Sequence, residues 1–217
     1  MDDVLTIDDG LTRWTPGERT GLPLLVLLHG YGADENDLFG LAAYLPDGIA
    51  VASVAAPLAP PWPMPGRSWY AIDSLSSRDA SGITLAAEAL LRWLDAAVGD
   101  APSVALLGFS QGAAVSLQAL RLAPERIDAV VALSGYAALG ELPNDAVLQE
   151  QKPPVFWGRG NRDDVIPPNL IDHTAQWLPG HSELSGRVYP GLTHSISEQE
   201  LADVNVFLSQ WKDGIAD

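Results

Sequence analysis

Ser103-Val104-Ala105-Leu106-Leu107-Gly108-Phe109-Ser110-Gln111-Gly112-Ala113-Ala114-Val115 is the stretch whose reading decides the fold. Ser103 to Leu107 is a short apolar run, Gly108 to Gly112 has the form G-x-S-x-G, and Ala113 to Leu122 carries a helical pattern. A serine set between two glycines, after a strand and before a helix, sits on a tight, strained turn with its hydroxyl exposed above the sheet. The helix behind it adds a positive dipole end. The five-residue string alone is a weak signal, and its placement between strand and helix gives it weight.

The same alternation continues on both sides. Leu22 to Leu28 ends at His29-Gly30, Ile49 to Ala56 at Pro57, Ala129 to Leu133 at Ser134-Gly135, Val155 to Trp157 at Gly158, and Arg187 to Tyr189 at Pro190-Gly191. Short apolar runs bounded by glycine and proline read as strands buried on both faces, as in a parallel sheet. Between them Ile83, Ala87, Leu90, Leu94 and Val98 form one helical stripe, with Glu88 and Arg92 as a favourable i,i+4 pair. Leu201, Val204, Leu208 and Trp211 form a second, introduced by a Ser197/Glu200 capping box. Strand–helix alternation predicts a doubly wound α/β fold with a mostly parallel central sheet. Val4 to Trp14, around Asp9-Gly10, reads as a hairpin leading into it.

The whole chain, residues 1–217, reads as one domain without repeat or linker. Its charge balance is 12 − 28 = −16. Such a field repels phosphate backbones and anionic lipid, so neither nucleic acid nor stable membrane association is expected. With no cysteine, disulfide scaffolds, thiolate nucleophiles and zinc fingers are excluded. The acidic start Met1-Asp2-Asp3 lacks the cationic flank and apolar run of a signal peptide, which makes a cytoplasmic protein the expectation. No H-E-x-x-H, calcium loop or lysine-bearing phosphate loop is present, so no metal and no cofactor is expected. Asp34-Glu35-Asn36-Asp37 reads as a solvated helix start.

A serine hydroxyl needs a base near neutral pH. His194, in Gly191-Leu192-Thr193-His194-Ser195, follows the last strand and lies at the same sheet edge as Ser110. His173 and His181 lack that placement and read as surface residues. The base needs an acid to fix its tautomer. Asp163 and Asp164, after the strand Val155 to Trp157, are both available. An oxyanion needs donors: the backbone N–H of Gln111 is one, and that of Tyr31, in His29-Gly30-Tyr31-Gly32, is the second. His29 then shapes that loop. Pro60, Pro61, Pro63 and Pro65 interleave with Trp62, Trp69 and Tyr70, as either a cleft wall or a loop pinned to the core by its rings.

Leu28-His29-Gly30-Tyr31-Gly32, Ala56-Pro57 followed by Ser68-Trp69-Tyr70, Gly108 to Gly112, Gly160 to Pro167 and Gly191 to His194 together resemble the phospholipase/carboxylesterase family of α/β-hydrolases. The resemblance runs from about residue 22 to the C-terminus. It implies a serine esterase with Ser110, Asp163 and His194 as triad and Tyr31 and Gln111 as oxyanion donors. The family pattern G-x-x-D-x-V-[VI]-P places the acid at Asp163. Trp69, Tyr70, Gly30 and Gly32 are expected to bind substrate. The proline-rich Leu58 to Ser68, and Ala71-Ile72-Asp73 where an aspartate usually follows the aromatic pair directly, depart from the pattern and bear on acyl or alcohol preference.

The connector Tyr136 to Pro153 is too short for a lid domain, which favours small to medium acyl esters. The acidic charge favours neutral ones unless an arginine such as Arg67 compensates. Acyl-protein thioesterase or lysophospholipase activity is the alternative within this chemistry, and a non-catalytic binding protein the alternative outside it. The expected partner is a small-molecule ester; a homodimer accords with the family.

Overall fold

The central strands form where the sequence has no polar alternation to offer solvent. The computed structural model describes residues 4–61, 63–72 and 80–215. Strands β2 (Leu24–Leu28), β3 (Ala50–Val54) and β5 (Ala129–Leu133) are buried at every position, and β4 (Val104–Phe109) at all but its last. With β1 (Arg13–Trp14), β6 (Pro154–Gly160) and β7 (Glu183–Tyr189) they form, among the described residues, one sheet in the order β1-β3-β2-β4-β5-β6-β7. All pairings are parallel except β1 with β3. The fold is the α/β-hydrolase fold.

Helices cover both faces, as a parallel sheet requires. On one, α1 (Ala80–Ala97) and α2 (Gln111–Leu122) pack on Val26, Leu106 and Val130, beside α3 (Asp145–Gln151) and α4 (Pro168–His181). On the other, α5 (Glu198–Asp213) sets Val204, Leu208 and Trp211 against Leu107, Val131 and Phe156. The predicted stripes are seen in most of their members: Ile83, Ala87, Leu90 and Leu94 are buried on α1, Val98 lies just past its end and Leu201 on α5 is half-buried. The Ser197 hydroxyl accepts from the Glu200 N–H at the start of α5. Glu88 and Arg92 form no ion pair, and Arg92 instead donates to the Leu5 carbonyl at 3.1 Å.

The opening segment is not a hairpin. Asp9–Leu11 is a 3₁₀ turn capped by Asp8, and Arg13–Trp14 pairs antiparallel with Ser53 and Ala52 of β3. The Trp93 indole of α1 donates to the Asp9 carboxylate at 3.0 Å, which holds the turn against the helix rather than against a second strand. Asp34 to Asp37 lead into a 3₁₀ helix, Leu38–Tyr44, rather than an α-helix, and Asp37 makes no side-chain cap.

Between β5 and β6 the chain holds only α3, with no lid. Arg121, 1% exposed, ties this connector to α2 through the Asp145 carboxylate and the carbonyls of Ala138 and Gly140. Burial is the largest single influence and would raise the Asp145 carboxyl, but the Arg121 hydrogen bonds, the Leu142 N–H and the Arg121 charge together outweigh it and hold the group below its ordinary range. Among the described residues no helix is long and apolar enough to cross a membrane.

Candidate active site

Strand β4 delivers Ser110 to the carboxyl edge of the sheet, where α2 begins. The serine has φ +54° and ψ −112°, a sparsely populated conformation for a residue with a side chain. Both flanking glycines are forced by close approach. A Cβ on Gly108 would overlap the backbone of Gly112, and a Cβ on Gly112 would overlap the carbonyl of Leu28. The helix therefore starts directly against β4 and β2, and only this spacing of glycines permits it. The Ser110 N–H donates to Leu133 O at 2.9 Å, tying the turn to β5.

His194 lies in the loop between β7 and α5, with its Nε2 2.9 Å from Ser110 Oγ. Its Nδ1 is 2.7 Å from Asp163 Oδ2. The other carboxylate oxygen of Asp163 accepts from the backbone N–H groups of Val165 (3.0 Å) and Ile166 (3.3 Å). The acid thus has a fixed orientation, and its side chain is 2% exposed against 16% for the imidazole. The Phe109 ring packs on His194 with centroids 4.9 Å apart. Asp164 is exposed and has no part in this chain of contacts. Neither His173 nor His181 approaches it; both lie on α4, where His181 stacks on Trp177 at 4.1 Å.

The loop after β2 is shaped by His29, which is fully buried. The Ala56 N–H donates to its Nε2 at 3.1 Å, so Nδ1 carries the proton toward Gly30 O at 2.7 Å. Burial pushes this imidazole below its ordinary pKa, in keeping with a neutral ring. Gly32 donates to Arg67 O and Arg67 donates to Ala33 O, at 2.9 and 2.8 Å. That ladder leaves the Tyr31 N–H unused. Gln111 is the first residue of α2, so its N–H has no acceptor within the helix. Gly30 borders the serine: a Cβ there would stand 3.0 Å from the Phe109 ring and 3.7 Å from Ser110 Cβ. Gly32 has φ +78° and faces the Met64 thioether instead.

Trp69 and Tyr70 depart from expectation. They do not form a cleft wall; they are 0% and 2% exposed. The Trp69 indole donates to His29 O at 2.8 Å, and the Tyr70 and Tyr136 hydroxyls are 2.6 Å apart. Polar partners for both rings inside the core outweigh exposure to solvent. The pinned-loop reading therefore holds for this part of Leu58 to Ala80, while Trp62 and residues 73–79 lie outside the described residues. The sequence reading also missed the Gln111 side chain. Its carbonyl accepts from the Trp69 N–H at 3.0 Å and its amide donates to Tyr70 O at 2.8 Å, fastening the strap to α2. An amide directly after the serine, in a buried helix start, was the available signal. Arg67 donates to Ala56 O at 3.0 Å, so part of its guanidinium is already engaged.

A profile of the phospholipase/carboxylesterase family matches residues 15–212. The chain belongs to this family. It is 36% identical over 111 residues to acyl-protein thioesterase 1 of Debaryomyces hansenii, covering 50% of this chain and 48% of that one. It is 27% identical over 207 residues to acyl-protein thioesterase 1 of Kluyveromyces lactis, covering 86% and 91%. A probable carboxylesterase of Oryza sativa is 30% identical over 148 residues, 62% and 54% of the two chains. The chain thus spans about half the length of the Debaryomyces and Oryza relatives, and nearly all of the Kluyveromyces one. Among solved structures, esterase PE8 superposes with a TM-score of 0.76 at 28% identity over 94% of this chain and 99% of that one. Zea mays acyl-protein thioesterase 2, at 23% identity, shares the fold with a TM-score of 0.77 over 92% and 98%. Among the described residues of this phospholipase/carboxylesterase family member, no cluster of His, Asp and Glu could hold a metal ion.

Proposed function

We propose that the protein is a serine carboxylesterase that hydrolyses small to medium acyl esters through an acyl-Ser110 intermediate. The observation that carries this reading is the continuous relay from Asp163 through His194 to Ser110, at 2.7 and 2.9 Å. Asp163 fixes the proton of the neutral imidazole on Nδ1, leaving Nε2 free to accept. Ser110 Oγ attacks the ester carbonyl as Nε2 takes its proton. The tetrahedral oxyanion is held by the N–H groups of Tyr31 and Gln111. His194 then returns the proton to the leaving alcohol, the C–O bond breaks, and the acyl group remains on Ser110. Water enters, gives a proton to His194 and its oxygen to the acyl carbon, and the acid departs as Ser110 recovers its hydrogen.

The same relay serves a thioester, and the acyl-protein thioesterase relatives keep that reading as the alternative. Support for the ester of modest size is the short β5–β6 connection, which supplies α3 and no lid. A series of p-nitrophenyl esters from acetate to palmitate, beside a palmitoyl-cysteine peptide and with Ser110→Ala as blank, tests both. The expected outcome is a kcat/KM maximum near butyrate to octanoate and a fall of about tenfold or more at palmitate, equal to about 1.4 kcal/mol of transition-state binding. A preference for the palmitoyl peptide over every short ester would assign the thioesterase role instead.

A further inference from the structure

Among the described residues, one fully buried carboxyl has neither an ion pair nor a part in the proposed mechanism. Glu200 is 0% exposed, and neither carboxyl oxygen meets hydrogen-bond geometry with a partner among the described residues, although the Ser197 backbone N–H lies close enough to act on it. Its place is defined by an absence on β6. A Cβ on Gly158 would overlap the Glu200 carboxyl, so the carboxyl occupies the notch that this glycine leaves. Two residues along, on the same face of the strand, a Cβ on Gly160 would overlap the carbonyl of Leu192 and crowd that of Thr193. The two notches are about 7 Å apart along the strand. They grip the chain at residues 192–193 and at residue 200, and His194 lies between the two grips.

Resting on the triad reading above, we propose that Glu200 is a positioning residue: its carboxyl, seated over Gly158, anchors the downstream end of the segment that holds His194 against Ser110. The physical reason is that a neutral carboxyl suits this slot and an ionised one does not. The Gly158 notch on β6 is bordered by the Phe156 ring as well as by the Glu200 carboxyl, and that ring offers no charge or donor. On its own helix Asp203 repels an anion. From β7 the Tyr189 hydroxyl is spent on Asp203 at 2.8 Å, and Arg187 stands 4.0 Å from the same Asp203. Upstream, Asp163 and His194 are paired with each other. Burial pushes the Glu200 carboxyl up to about 7; the Ser197 backbone N–H lowers it only in part.

The folded group holds its proton to about pH 7, while the unfolded one releases it near 4.5. Stability contributed by the seated carboxyl is therefore present at low pH and is lost as pH rises from 4.5 through 7. Above that range the ionised group strains against its slot and loosens the start of α5.

The test is the pH dependence of kcat/KM for p-nitrophenyl butyrate between pH 6 and 9, for the wild type, Glu200→Gln and Glu200→Met, with melting temperatures at pH 5 and 8. The variants keep the shape of the side chain and carry no charge, and Met leaves no amide to satisfy. The expected result is equal activity at pH 6 and a wild type at least about threefold slower than the variants at pH 9, within the ~10²-fold that an ångström of misplacement costs. The melting temperature of the variants should exceed the wild type's at pH 8 and not at pH 5. Superimposable profiles, or variants slower by one constant factor at every pH, would overturn the assignment. Turnover by Ser110→Ala would instead sink the triad reading, and the role with it, while leaving the melting-temperature difference standing.

Discussion

Replacing Ser110 by alanine should lower kcat for p-nitrophenyl butyrate by about 10⁶-fold, with KM little changed. In the proposed mechanism the Ser110 oxygen forms and breaks the acyl bond, so its loss would remove the covalent path entirely. Activity of about 10³–10⁴-fold over water should remain, because the proposed donors, the N–H groups of Tyr31 and Gln111, would still polarise a bound carbonyl. The fold should be untouched. Alanine keeps the β-carbon that the strained backbone at φ +54° already accommodates, and the Ser110 N–H keeps its bond to Leu133. Steady-state kinetics and a melting curve on the same preparation check both halves of this expectation.

The second large effect separates two adjacent carboxylates. Asp163→Asn should cost about 10⁴-fold in kcat, while Asp164→Asn should stay within about twofold. An asparagine at 163 can still accept from Val165 and Ile166 with its carbonyl, where Asp163 Oδ1 now does so. That choice turns its amide toward His194 Nδ1, which must then give up its proton. The remaining proton moves to Nε2, and the nitrogen facing Ser110 Oγ at 2.9 Å can no longer accept. Asp164 is solvated and touches none of these atoms. The paired comparison, read as kcat at fixed pH, tests the assignment of the acid.

The sequence disclosed most where one local rule decides the outcome. β2, β3 and β5 were legible because parallel strands covered on both faces need no polar residue, and their runs contain almost none. β7 was legible only at its end: most of its residues, from Glu183 onward, are exposed or half-exposed, so no apolar run marks an edge strand. β1 is two residues long, and its partner stands about 40 positions away at Ala52 and Ser53. The glycines at 108 and 112 were legible as a turn, although the overlap with Leu28 that requires Gly112 involves a strand more than 80 residues earlier.

The candidate site was legible in the same uneven way. Ser110 and His194 each follow a strand at the same sheet edge, and the resemblance separated Asp163 from Asp164. The fate of Trp69 and Tyr70 was not readable, because it depends on acceptors and donors at His29, Gln111 and Tyr136. An aromatic pair on a proline-rich loop gives the same signal whether it faces solvent or the core. Glu200 was visible as the last residue of a capping box, but the notch that takes its carboxyl belongs to β6 and is seen only in three dimensions.

The covalent step is the claim on which the rest stands, and rapid mixing with p-nitrophenyl butyrate, acid quenching and peptide mass spectrometry addresses it most directly. The account predicts one butyryl group on the peptide that contains Ser110, formed at the rate of the p-nitrophenol burst and absent from Ser110→Ala. A burst with no acyl peptide, or an acyl group carried on another residue, would contradict it.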